Sequence, residues 1–299
     1  MNLIPPVAAR IPTKRTHHGD TFIDELEWLR DKTNPEVLAH LTAENVYTDE
    51  ITADQQELRD TIFDEIKNRT QETDLSVPSR RFGWWYFART TEGKQYPSYC
   101  RLAIKGANDW TPPVIEAGVE LDGEQLLLDC NAEAEGKPFF SLGGFTVTKD
   151  GNLLAYCEDN SGDERYTLRI KDLTTGEMLP DVIENIFSGL LWSPKGDKIF
   201  YTMVDSSWRP YQLRCHTLGT PVSEDEIIYT EEHPGFWMSA DLSADHNMLL
   251  ITVGNAEYGE TWAMDLTDPE ASPQLLISRK LKLLHGVDPA IINGHQVFF

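Results

Sequence analysis

From residue 139 to 182 apolar and polar positions alternate with a period of two, the signature of half-buried β-strands. Phe145 and Val147 stand before a Lys149-Asp150-Gly151 turn, and Leu153 and Ala155 follow it, which predicts a hairpin. A second run, Tyr166, Leu168 and Ile170, follows a polar Ser161-Gly162-Asp163 turn and closes at Asp172, Leu173 and a Thr175-Gly176 turn. The pattern gives about four short strands in about 40 residues, the size of one propeller blade.

The pattern recurs over 189–218 and 240–266. The turn residues Gly151, Gly196, His246 and Gly294 lie 45, 50 and 48 positions apart. Leu173, Leu218 and Leu266, read as fourth-strand leucines, lie 45 and 48 apart. Two markers with nearly one period favour a propeller over its competitor, a β-sandwich with evenly spaced strands. The predicted fold is mainly β: a partial propeller over 76–299, with about four blades and a terminal hairpin at Asn293-Gly294.

Residues 1–75 read differently. Pro5, Pro6 and Pro12 predict an irregular stretch to residue 33. A helix then starts with Asn34 as N-cap and Pro35 in the first turn. Thr52 and Gln55 fit a capping box for a second helix carrying a Leu58, Ile62, Ile66 stripe. Trp84, Trp85, Tyr86 and Phe87 favour a strand, and 105–138 reads as the rest of the first blade with its loops.

Composition narrows function more than fold. No apolar run reaches 18 residues, and the opening stretch lacks the apolar core of a signal peptide, so a cytoplasmic protein without a membrane span is expected. The net charge of -23 argues against nucleic acid as partner and favours cationic ligands, although solubility alone would explain it. Cys100, Cys130, Cys157 and Cys215 form no CxxC pair, and no Cys/His cluster has zinc-ligand spacing. Cys157 and Cys215 lie in strand runs and read as small core hydrophobes, in keeping with a reducing compartment, and no metal or cofactor is expected.

Several long segments resemble the prolyl oligopeptidase family of serine peptidases, and within it oligopeptidase B. They are HGDTFIDELEWLRD (18–31), PEVLAHLTAENVY (35–47), EQLLLDCNAEAEG (124–136), the whole of 139–185, and YQLRCHTLGTPVSEDEIIYTEE (211–232) with its His-x-Leu-Gly-Thr and Asp-Glu pattern. The resemblance implies a seven-bladed-type propeller, incomplete in this chain, inserted into an α/β-hydrolase domain and restricting the site to short peptides, with cleavage after Lys or Arg. It places residues 1–75 against that hydrolase domain. The family's Ser, Asp and His triad belongs to a C-terminal region that this chain does not include. No GxSxG nucleophile elbow occurs here, and the eight histidines, His216 among them, read as surface or turn residues. No catalytic residue is therefore assigned.

Weaker candidates come from the resemblance. Phe187 matches a propeller phenylalanine that prolyl oligopeptidase points toward its substrate pocket; a plain core phenylalanine is the alternative. Glu158, Asp159, Asp163 and Glu164 are expected to form an acidic loop beside it, pairing with arginines of the hydrolase domain or simply solvated. The competing functional class is a non-enzymatic propeller acting as a binding or scaffold module, which would not need the N-terminal helices. The run AIINGHQVFF carries no charge, counting His as neutral, and alternates, so an open propeller edge there is expected to drive self-association.

Overall fold

The computed structural model describes residues 4–299, so the first three residues of the stretch expected to be irregular lie outside it. The chain divides into two compact units, Met1–Gln71 and Glu72–Phe299.

The first unit corrects the expected irregularity before residue 33. β1 (Thr13–His17) and β2 (Asp20–Asp24) form an antiparallel hairpin. Its two turn residues, His18 and Gly19, both have positive φ, as a tight primed turn requires. The prolines lie before the hairpin, where they cost no ladder bond. α1 (Pro35–Ile51) starts as read, with the Asn34 side chain accepting from the Glu36 N–H. The capping box at Thr52 does not form. Thr52 ends α1 and its hydroxyl donates back to the Thr48 carbonyl, 2.7 Å away. A 3-10 turn over Ala53–Gln55 intervenes before α2 (Gln56–Arg69). Along α1 and α2 the apolar side chains Leu38, Leu41, Leu58, Ile62, Phe63 and Ile66 are all exposed.

The second unit holds four blades and a hairpin. The first contains β3 (Asp74–Leu75) and β4 (Ser79–Arg81), both paired with β5 (Trp84–Thr90), then β6 (Ser98–Ala103) and β7 (Gln125–Asp129), followed by α3 (Cys130–Ala134). The second is β8 (Ser141–Val147), β9 (Leu153–Asp159), β10 (Tyr166–Asp172) and the first half of β11 (Met178–Trp192). The far half of β11 becomes the inner strand of the third blade, continued by β12 (Lys198–Val204), β13 (Pro210–Thr217) and β14 (Glu226–Thr230). The fourth is β15 (Trp237–Leu242), β16 (Met248–Gly254), β17 (Gly259–Asp265) and β18 (Gln274–Ile277). β19 (Pro289–Ile292) and β20 (His295–Phe298) form the terminal hairpin. Among the described residues no sheet closes on itself, so the propeller is incomplete.

The cores lie between the blades. On β9, Leu154 and Tyr156 pack with Leu127, Leu128 and Phe140 toward the first blade. Ala155 and Cys157, on the opposite face, pack with Leu168, Ile170, Leu190, Trp192 and Tyr201 toward the third. β12 repeats this, with Ile199 and Tyr201 facing the second blade and Phe200 facing Met238, Leu249 and Ile251 of the fourth. Central strands apolar on both faces produce the near-continuous runs LLAYC and IFY. All four cysteines are free and buried, Cys157 and Cys215 as read, and burial pushes the Cys157 thiol up to about 12.

A hydroxyl fixes each inner hairpin. Thr148, Ser193 and Ser243 sit at equivalent places, each donating its backbone N–H to the carbonyl of Leu153, Lys198 and Met248 respectively. Each hydroxyl also accepts from that same partner's N–H, at 3.0 to 3.1 Å. The next residue of the repeat, Gly151, Gly196 or His246, donates back to the hydroxyl residue's carbonyl and has positive φ. Two of these glycines are also required by contact. A Cβ at Gly151 would lie 2.6 Å from the Trp84 indole nitrogen, and one at Gly196 would lie 2.9 Å from Thr148 Cγ2. Leu173, Leu218 and Leu266 mark the period but not a fourth strand. Each follows the third strand and donates its N–H to the first-hairpin turn, at Asn152, Asp197 and Asn247.

Leu168 is fully buried between the second and third blades, whereas Leu58 is 59% exposed on α2. Leu168→Ala is therefore expected to cost about 2–5 kcal/mol in denaturant unfolding, and Leu58→Ala less than about 0.5. Native-state amide exchange is expected to be slower in β9, β10 and β12 than in α1 and α2.

Candidate functional site

The inner strands β4, β8, the end of β11 and β15 line one cleft in the second unit. One chamber, about 270 Å³, is walled by Phe145, Phe187, Leu190, Phe200, Met238 and Asp241 among others. A second, about 610 Å³, is walled by Arg80, Arg81, Phe82, Trp110, Phe145, Leu191, Asp241 and His246 among others.

Phe187 sits where β11 bends from one blade into the next. Asn185 before it and Gly189 after it both have positive φ, and the register with β12 shifts between Ile186 and Leu190. The bend leaves Phe187 half-buried on the cleft wall rather than sealed in a core. Its ring meets Trp208 edge-on at 5.2 Å, and Trp208 meets Trp237 at 5.9 Å. One aromatic row thus joins the second, third and fourth blades. Trp208 holds its place with positive φ and with an indole N–H donated to the Glu164 carbonyl at 3.1 Å.

The four acidic candidates do not form one loop. Glu158 and Asp159 end β9 and are buried, while Asp163 and Glu164 are exposed in the turn beyond. Glu158 takes Lys137 at 2.7 Å and Arg169 at 2.8 Å. Burial alone would raise its pKa, but the two cations outweigh it and hold the carboxyl below its usual range. Asp159 accepts from the backbone N–H groups of Ser161, Gly162 and Glu164, which fixes the turn and likewise holds the carboxyl low against burial. Only Asp163 and Glu164 offer charge to solvent, beside the aromatic row. Alternation along β9 was legible, but the cations that draw Glu158 inward come from Lys137 and β10, with no signal at the position itself.

His216 also departs from the reading. It is fully buried on β13, with Nδ1 2.6 Å from Asp225 Oδ1 and Nε2 2.9 Å from Asp181 Oδ1. Asp181 also accepts from the Gly219 N–H at 2.6 Å, and Asp225 from the Tyr201 hydroxyl at 2.6 Å. The His-x-Leu-Gly-Thr and Asp-Glu pattern is therefore a structural clamp between the second and third blades. Burial opposes the imidazolium, but the two carboxylates outweigh it and raise the pKa above its ordinary value. Among the described residues no group of His, Cys, Asp and Glu is arranged to hold a metal ion.

The profile of the prolyl oligopeptidase N-terminal β-propeller domain matches residues 6–288. Dipeptidyl aminopeptidase BI of Pseudoxanthomonas mexicana is 39% identical over 90% of this chain and 37% of its own length. Protease 2 of Moraxella lacunata is 33% identical over 95% of this chain and 40% of its own. The chain thus spans about two fifths of these relatives, between 37% and 40%. Among solved structures, oligopeptidase B from Leishmania major superposes with a TM-score of 0.86 at 25% identity, covering 99% of this chain and 42% of that one. Oligopeptidase B from Trypanosoma brucei, with covalently bound antipain, gives 0.82 at 28% identity, covering 95% and 41%.

His216→Gln leaves two buried carboxylates facing an uncharged side chain and is expected to cost about 3–5 kcal/mol. A folded-state pKa above the unfolded 6.5 means that the native protein binds more protons between the two values. The clamp's full contribution is thus present below about pH 6.5 and fades as pH rises through the folded value. Denaturant melts at a series of pH values should show that slope in the parent and lose it in His216→Gln.

Proposed function

The chain belongs to the prolyl oligopeptidase family, and from that premise we propose that it forms the N-terminal segment and propeller of an oligopeptidase B-like serine endopeptidase. The whole enzyme hydrolyses short peptides after Lys or Arg, and the propeller acts as its size filter. The observation that carries this reading is the cleft with half-buried Phe187 on its wall. Chambers of about 270 and 610 Å³ accept side chains and short peptides, and are far too small for a folded domain.

The chemistry lies outside this chain. Acyl transfer needs a serine nucleophile, a histidine base and a donor pair for the oxyanion, and this sequence contains no nucleophile elbow. What the chain contributes is enclosure and recognition. The row Phe187, Trp208 and Trp237 supplies an apolar surface beside the exposed carboxylates Asp163 and Glu164, a pairing suited to a basic side chain with an apolar stem. The exposed apolar residues of α1 and α2 suit burial against an α/β-hydrolase domain, which the scaffold-module alternative would not require. Free buried cysteines agree with a cytoplasmic setting.

The 39% identical relative favours a second reading, release of dipeptides from free N-termini. Peptides with free and acetylated N-termini, assayed on the full-length protein and read by mass spectrometry, separate the two. Internal cleavage after Lys or Arg of both forms supports the endopeptidase, whereas cleavage of free peptides alone, in dipeptide steps, overturns it.

The isolated 299-residue chain is expected to show neither turnover of Arg-, Lys- or Pro-based amides nor labelling by a serine-reactive phosphonate. In the full-length protein Phe187→Ala should lower kcat/KM by about tenfold, equivalent to about 1.4 kcal/mol of transition-state binding. Self-association of the isolated chain through β19 and β20, where Ile291, Ile292, Phe298 and Phe299 are exposed, is expected to grow with added salt and to fall on changing Val297 and Phe299 to Lys. Light scattering showing a monomer at high concentration and salt would refute it.

A further inference from the structure

The end of the cleft opposite the aromatic row gathers cations that no carboxylate holds in an ion pair among the described residues. Arg80 and Arg81 come from β4, Lys149 from the first hairpin turn of the second blade, and His246 from the equivalent turn of the fourth. Arg81 Nη2 lies 3.3 Å from His246 Nε2. Phe82 meets the His246 ring edge-on at 4.9 Å, and the Lys149 ammonium stands 5.8 Å from the Phe82 ring centre. Arg80 lies flat on Trp110, 4.0 Å from its ring centre, and donates to the Ala107 carbonyl at 2.8 Å.

None of Arg80, Arg81 and Lys149 takes part in an ion pair among the described residues. This occurs in a chain with 49 acidic and 26 basic residues, where a carboxylate is the commonest neighbour to find. The Nε of Arg80 is buried and has no hydrogen-bond partner. A buried donor left unpaired is costly and calls for an acceptor. His246 occupies the place that glycine holds in the two preceding blades, with positive φ. A non-glycine residue pays strain there, and strain of this kind collects at functional positions. What the side chain reaches from that position is Arg81, on the far side of the cleft.

We propose that this chamber is a binding site for a small oxyanion, a carboxylate or phosphate group, held by Arg80 and Arg81 on its wall, with the exposed Lys149 beside the wall residue Phe82. Two guanidinium groups offer the planar donor pairs that such an anion accepts, and the ammonium adds a point charge. The chamber of about 610 Å³ admits a terminal carboxylate or a free phosphate and excludes a nucleic-acid strand, which the net charge of -23 also repels.

The same geometry couples binding to His246. Burial lowers its pKa, Arg81 and Lys149 lower it further, and Asp245 of its own turn opposes them. Asp245 is already engaged by Ser243 and Asn247, and Asp241 is the other carboxylate on the chamber wall. An anion between the cations offsets their push, so His246 takes up a proton more readily and the anion binds more tightly as pH falls.

The test is calorimetric titration of the 299-residue chain at low ionic strength with inorganic phosphate, with acetyl-Gly-Gly bearing a free carboxylate, and with its C-terminal amide. Saturable binding of phosphate or of the free acid, with none of the amide, is expected. Which of the two binds tells whether the natural source is free phosphate or a peptide terminus. Arg81→Gln and Lys149→Gln should each weaken binding at least tenfold, while Lys94→Gln, on a distant loop, should leave it unchanged. Circular dichroism and thermal melts verify that each variant folds. In NMR titrations the His246 midpoint should move up on adding the anion in the parent and stay put in Arg81→Gln. No saturable binding by either anion, equal binding by the amide, or full affinity in the folded Arg81→Gln, Lys149→Gln double variant overturns the proposal.

Discussion

The structure depends on central strands that bury both faces. A blade of this unit has no core of its own: β9 sends Leu154 and Tyr156 one way and Ala155 and Cys157 the other, and β12 does the same. Each apolar cluster is therefore shared property of two sheets, so neighbouring blades depend on one another as repeats in a stack do. The 15-residue β11 carries this furthest, serving as the outer strand of one blade and the inner strand of the next. Positive φ at Asn185 and Gly189 lets it turn, and Ile186 pairs with both Tyr166 and Met203. Phe187 faces the cleft because of that turn. The same packing that builds the core thus also delivers the candidate site.

The cleft inherits two chemically different ends from the direction of its inner strands. Those strands start near the loop that carries Trp208, with Trp237 itself opening β15, and finish at the hydroxyl-fixed turns that carry Lys149 and His246. One end is aromatic and fringed by Asp163 and Glu164, the other cationic. A peptide extended through such a cleft would find opposite preferences at its two ends. Polarity along the cleft is therefore a consequence of strand direction repeated from blade to blade, with each loop type confined to one end.

How much of this was legible follows from how local each signal was. The period, the hairpins at Gly151 and Gly294, the strand through Trp84 and the Asn34 cap are written within a few residues and were read from them. The Leu173, Leu218 and Leu266 markers gave the right period with the wrong place, because a backbone bond to the previous turn has the same spacing as a strand. The β1–β2 hairpin was hidden by prolines that end just before it. His216 looked like a surface histidine because its two carboxylates lie 35 and 9 residues away, and the burial of Glu158 depends on Lys137, 21 residues upstream. The Phe187, Trp208 and Trp237 row needs three blades at once. Side chains that find partners through tertiary pairing leave little mark on their own stretch of sequence.

The charge distribution carries the argument one step further. A buried carboxylate must be matched or it neutralises. Here Glu124 is matched by Arg89, Glu158 by Lys137 and Arg169, Glu231 and Glu260 by Arg279, and Asp181 and Asp225 by His216. Arg279, chiefly, holds the Glu260 carboxyl down to about 2, with Trp262 and Tyr229 adding to it against burial. Every one of these matches joins segments distant in sequence, so each fixes a register more than it adds stability, given the desolvation that buried pairs cost. The acidic surplus is then left to the surface. With buried acids consuming so many of the cations, Arg80, Arg81 and Lys149 gather at the cleft's far end outside any ion pair among the described residues, and a bound anion would supply the match that the buried carboxylates receive elsewhere in the unit.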